Sequence, residues 1–94
     1  MYRIIDKKDC GKTSRLMLLV KENKGTLVCE NPNAMEVKAH NYGIFGLNIV
    51  SYQEFLVNKN NHYWKVYIDE LDKFFKFAFE NYCVVDGYTL SIEE

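Results

Sequence analysis

The chain is 94 residues long, 48% hydrophobic and 15% aromatic, and it carries 12 basic against 13 acidic side chains for a net charge of −1. This length holds one domain and not two, and the apolar share excludes a disordered chain. The near-even charge excludes a protein that captures nucleic acid or an anionic membrane through its overall field.

Three cysteines, Cys10, Cys29 and Cys83, fit neither a disulfide framework nor a zinc site by number or spacing. The longest apolar run, residues 16–20, is far too short to span a bilayer. The expectation is a cytoplasmic protein with free thiols and no membrane partner.

In chain order, residues 2–5 are β-prone and lead through a polar turn, 6–12, into a helix over 13–23 with Leu16, Leu19 and Val20 on one face. Gly25 stands where a left-handed helix cap falls. Residues 26–30 (TLVCE) read as a strand. Asn31-Pro32-Asn33 turns the chain and starts a helix over 34–42, proline suiting the first helical position, and Gly43 stops it. A third strand follows at 47–51 (LNIVS), Ser51 caps a short helix over 52–57, and 58–62 (NKNNH) is an exposed loop. Residues 65–68 (KVYI) form the fourth strand. The helix over 69–82 is the clearest: Leu71, Phe74, Phe75, Ala78, Phe79 and Tyr82 recur as one apolar stripe, from which Phe77 departs by about 120°. Gly87 turns the chain into a last strand, 88–92 (YTLSI).

This alternation predicts an α/β fold in three layers, α/β/α, with a mostly parallel sheet of about five strands and right-handed crossovers. No repeat, low-complexity segment or domain boundary interrupts residues 1–94.

Between the first strand and the first helix stands Cys10-Gly11-Lys12-Thr13-Ser14. Free N–H groups at a helix start, together with the helix dipole, attract an anion. Gly11 lets the backbone approach a phosphate closely, Lys12 supplies a point charge for the terminal phosphates, and the Thr13 hydroxyl is a ligand for Mg²⁺. These five residues are the candidate nucleotide-binding set. The full pattern G-x-x-x-x-G-K-[ST] would have glycine at position 6. Asp6 stands there, and Asp9 also lies in the loop, beside Lys7 and Lys8. The plainer account is a charged loop in which Gly11 serves only the turn.

The fourth strand ends in Asp69-Glu70. In a doubly wound sheet, ligands lie beyond the carboxyl ends of the strands. There Asp69 would hold Mg²⁺ and Glu70 would orient or activate the attacking water as general base. The plainer account is that both acids favour the first turn of the following helix.

A GKT turn followed, two β-α units later, by a strand ending in Asp-Glu is the order of a Walker A and Walker B pair. On those residues the chain resembles the P-loop NTPase core in its helicase-like and RecA-like branch. It also looks like the very small P-loop-like proteins of bacteriophages that infect Gram-positive bacteria. The resemblance implies ATP or GTP with Mg²⁺, γ-phosphate sensing by Thr89 and Ser91, a strand-then-proline element at 29–32, and a last strand placed between the first and the fourth. Arg3 and Arg15 are the only arginines and both lie near the loop, so no arginine finger is evident and hydrolysis is expected to be weak or absent.

Three functions follow as expectations. The first is a nucleotide-binding P-loop-like protein of phage or prophage origin. The second is a non-catalytic module on a degenerate P-loop frame that docks on a host or phage protein, with Tyr42, Phe45 and Phe77 as exposed aromatics. The third, nucleic-acid association, is opposed by the weak charge. Self-association would be one way to complete a site lacking an arginine finger. Trp64, Tyr63 and Tyr67 suit base stacking or, more simply, packing at a strand entrance. His40 and His62 read as surface or helix-cap residues, and Cys10 as filler within its loop.

Overall fold

The computed structural model describes residues 4–5, 11–58, 65–82, 87 and 89. Among these residues four helices and three strands alternate: α1 (Lys12–Asn23), β1 (Thr26–Cys29), α2 (Pro32–Asn41), β2 (Asn48–Ser51), α3 (Tyr52–Val57), β3 (Val66–Ile68) and α4 (Leu71–Tyr82). The strands form one parallel sheet in the order β2-β1-β3. β1 is central, pairing Leu27 with Ile49 on one side and with Tyr67 on the other.

A strand buried on both faces is apolar along nearly all its length, and β1 is buried from Thr26 to Cys29, the Thr26 hydroxyl accepting from the Asn48 amide at 2.9 Å. Its alternate side chains feed two cores. Leu27 and Cys29 pack with Met17 and Val20 of α1, Met35 and Ala39 of α2, Ile44, and Tyr67 of β3. Val28 packs with Val50 of β2, Tyr52 of α3 and Phe74 of α4. Helices therefore cover both faces of the sheet, as the alternating pattern predicts.

Local signals account for most boundaries. The Asn31 side chain accepts from the Ala34 N–H with Pro32 in the first turn, and the Ser51 hydroxyl oxygen accepts from the Glu54 N–H. These caps start α2 and α3.

Three expectations are corrected, and the sheet of about five strands is met in part: among the described residues it has three. Ile4, Ile5 and Thr89 carry no regular structure, and the rest of the predicted strands at 2–5 and 88–92 lies outside the described residues. The left-handed cap of α1 is Lys24, with φ 54°, and not Gly25. Glycine is needed at 25 for another reason: a Cβ there would lie 2.5 Å from the Tyr67 ring and 3.0 Å from the Lys65 carbonyl oxygen. The helix predicted over 69–82 starts at Leu71, leaving Asp69 and Glu70 in the preceding turn.

The last correction concerns the face that α4 buries. Phe74 is buried and Phe77 is packed against the second core, whereas Leu71, Phe75 and Phe79 are 48%, 43% and 38% exposed. The cause is the aromatic surface that α3 presents. The Tyr52 ring meets Phe74 edge-on at 5.3 Å and Phe77 at 5.9 Å, and Phe55 meets Phe74 at 5.9 Å. Phe77, expected outside the stripe, is thus half-buried against the second core.

Replacing Gly25 by alanine should destabilise the protein by about 1–3 kcal/mol, because the Tyr67 ring must shift within a filled core. A denaturant midpoint matching that of the unmodified protein would contradict the close approach.

Candidate functional site

The carboxyl ends of parallel strands and the amino ends of the helices around them meet at one edge of the sheet. α1 opens there. Gly11 precedes it in the left-handed conformation, φ 77°. Its carbonyl accepts from the Arg15 N–H at 3.2 Å and from the Ser14 hydroxyl at 3.0 Å. Unlike α2 and α3, α1 has no side-chain cap. Lys12 is its first residue and Thr13 its second.

β3 delivers Asp69 to the same edge. The Asp69 N–H donates to the Val28 carbonyl at 2.9 Å, so the β1–β3 ladder continues one residue beyond the strand. The Thr13 hydroxyl donates to Asp69 Oδ1 at 3.2 Å, joining residues 56 positions apart. Lys12, Asp69 and Glu70 line one cleft of about 920 Å³. It runs along the outer edge of β3, and Ile4, Leu16, Val66, Ile68, Leu71 and Phe75 supply its apolar wall.

Glu70 has φ 56°, a conformation that costs a non-glycine residue of order 1 kcal/mol. Two contacts hold it there. Its carbonyl accepts the Phe74 N–H at 3.0 Å, which opens α4, and the Tyr52 hydroxyl reaches the Asp69 carbonyl at 2.7 Å and that of Glu70 at 3.3 Å.

Burial raises the pKa of Asp69; the Thr13 hydrogen bond opposes that, neighbouring Glu70 adds to it, and Lys38 and Lys12 pull it down. Burial also raises the Tyr52 phenol, and the negative charge of Asp69 raises it further. The Cys29 thiol goes up to about 11 for the same two reasons, so this buried free thiol is inert.

The expected site residues divide as follows. Thr13 and Asp69 touch. Lys12 and Glu70 share the cleft with Asp69, and Gly11 holds the turn. Ser14 points its hydroxyl back at the Gly11 carbonyl. Cys10, Asp6 and Asp9 lie outside the described residues, as do Tyr63, Trp64, His62 and Ser91; Thr89 is exposed. Tyr67 is buried beneath α1 and is not available for base stacking. His40 is a surface residue in the last turn of α2, 3.8 Å from Glu36 and with its ring 4.9 Å from Phe45. Tyr52 is the residue that sequence reasoning missed. As the first residue of a six-residue helix it carries no local mark of its contact with the end of β3.

A hydroxyl and a carboxylate oxygen 3.2 Å apart are hard donors that suit Mg²⁺, which keeps several waters and takes one or two protein ligands plus phosphate oxygens. No group of three or more His, Cys, Asp or Glu that could hold a metal occurs among the described residues, so a dedicated all-protein cage is not built there. No helix of the described residues is long and apolar enough to cross a membrane. Comparison with protein-family models, with curated proteins and with solved structures returns no match.

A raised carboxylate pKa has a definite sign in stability. The folded state prefers Asp69 protonated, so the protein loses stability as pH rises from the ordinary carboxylate range through the raised value. Asp69→Asn should therefore raise the thermal midpoint at pH 7, and the gain should shrink as pH falls below that range. A variant less stable than the parent at pH 7 would contradict the burial of this charge.

Proposed function

We propose that the protein binds a nucleoside triphosphate, ATP or GTP, with Mg²⁺, on a degenerate P-loop-like frame, and hydrolyses it weakly or not at all. The contact of Thr13 with Asp69 carries this reading. A hydroxyl at the start of a helix and a carboxylate at the end of a neighbouring strand meet where the phosphate chain would lie. The left-handed Gly11 and the uncapped start of α1 support it.

In this reading Thr13 and Asp69 hold the metal, and Lys12 meets the terminal phosphates. Mg²⁺ supplies charge neutralisation to the phosphates when bound. Glu70, next to Asp69 on the cleft wall, orients water.

The same proposal takes the three described strands as part of a mostly parallel sheet of about five. On one face α2 carries the chain from β1 to β2, and on the other α3 carries it from β2 back past β1 to β3.

A second reading, a non-catalytic docking module for a host or phage protein or for a second copy, is favoured by one observation. Leu71, Phe75 and Phe79 form an exposed row on α4, with the Phe75 and Phe79 rings stacked at 5.9 Å.

Thermal denaturation separates the readings. Millimolar ATP-Mg²⁺ or GTP-Mg²⁺ should raise the midpoint by mass action, worth about 2.7 kcal/mol at a hundred times the dissociation constant. Lys12→Ala should abolish the rise, and chelation of Mg²⁺ should weaken it. No rise with either nucleotide, together with an indifferent Lys12→Ala, would leave the docking reading in its place.

A further inference from the structure

We infer that Tyr52 is the positioning residue of the Asp69-Glu70 turn, an inference that rests on the phosphate-and-metal reading of this edge. Its side chain is buried and reaches the edge from the opposite direction to Thr13. Thr13 approaches the Asp69 carboxylate from α1, while Tyr52 approaches the Asp69 and Glu70 carbonyls from α3.

The buried ring packs on Phe74 and Phe77 of α4, so the hydroxyl has little freedom to follow a moving partner. Its 2.7 Å bond to the Asp69 carbonyl aims that peptide, while the Val28 carbonyl holds the Asp69 N–H from the other side at 2.9 Å. A carboxylate whose backbone is held at both polar groups presents its oxygens in a narrow range of directions, as metal ligands require. Glu70 gains in the same way, since its left-handed backbone is stable only while its surroundings over-determine it.

A tyrosine that merely fills the core needs its ring and not its hydroxyl. Tyr52→Phe keeps the ring contacts and deletes only the two bonds to the turn. Two measurements on the full chain decide the matter. In amide hydrogen exchange without nucleotide, the Asp69 N–H should lose about ten-fold or more of its protection while the β1–β2 ladder keeps its own. With Mg²⁺ and the nucleotide that stabilises the parent, the apparent affinity should fall about ten- to a hundred-fold.

Unchanged protection at Asp69, or unchanged affinity, would overturn the role of Tyr52 and leave the site intact. Loss of protection spread evenly over the whole sheet would also overturn it, by marking a purely structural tyrosine. A parent protein that binds neither ATP nor GTP would instead remove the nucleotide reading, and this inference with it.

Discussion

The parallel pairing of β1 with β3 is the constraint on which the site depends. Thr26, Leu27 and Val28 stand opposite Val66, Tyr67 and Ile68, and the ladder runs on through the Asp69 N–H. That register sets where the acidic turn leaves the sheet. α1 reaches the same edge by its length: 12 residues span ~18 Å, and its last turn is joined to the start of β1 by a two-residue link, so its first turn lies back at the carboxyl ends of the strands. A parallel sheet gathers helix starts and strand ends at one edge, and Thr13 and Asp69 meet as a consequence. A one-residue slip of β3 would turn Tyr67 out of the first core and carry Asp69 away from Thr13.

This edge is electrostatically loaded. Asp69 acts on the buried Tyr52 phenol and on the Cys29 thiol, and Glu30 adds its charge to both. The chain holds a partly buried carboxylate with a hydroxyl donor at one oxygen, next to a residue in a left-handed conformation. The charge of Asp69 does not favour folding, because a protonated or amide side chain would suit the same burial better. Lys12, Thr13, Asp69 and Glu70 thus bring one cation, one hydroxyl and two carboxylates to a single edge of the sheet.

The second face of the sheet supplies the rigidity. Tyr52, Phe55, Phe74 and Phe77 form a run of tilted and edge-on ring contacts between α3 and α4. Such pairs add about 0.5–1.5 kcal/mol each beyond area burial. This aromatic joint fixes the rotation of α4 and with it the direction in which the chain leaves Glu70. The opposite side of α4 is left apolar and open beside β3, continuous with the wall of the cleft. The Lys73–Glu30 pair at 3.8 Å bridges the start of α4 to the end of β1, but it is exposed and contributes little.

Local chemistry made the alternation of strand and helix readable from residue order. The proline and asparagine at the start of α2, the Ser51 cap, the unbroken apolar run of β1 and the glycine ahead of Lys12 each act within a few positions, so they need no partner in space. The candidate pair Thr13 and Asp69 was legible for the same reason, since a GKT turn and an acidic strand end are short motifs. Three features were not legible. The buried face of α4 was misread because helical periodicity shows that a stripe exists but not which flank meets a neighbour, and α3 made that choice. The left-handed residue after α1 was placed at Gly25, although the demand on that glycine comes from the Tyr67 ring, 42 positions on in the sequence. Tyr52 was silent because its hydroxyl finds its acceptors only after β2 and β3 flank β1. Contacts between distant segments are set by packing and register, which act through space and leave no mark on either segment alone.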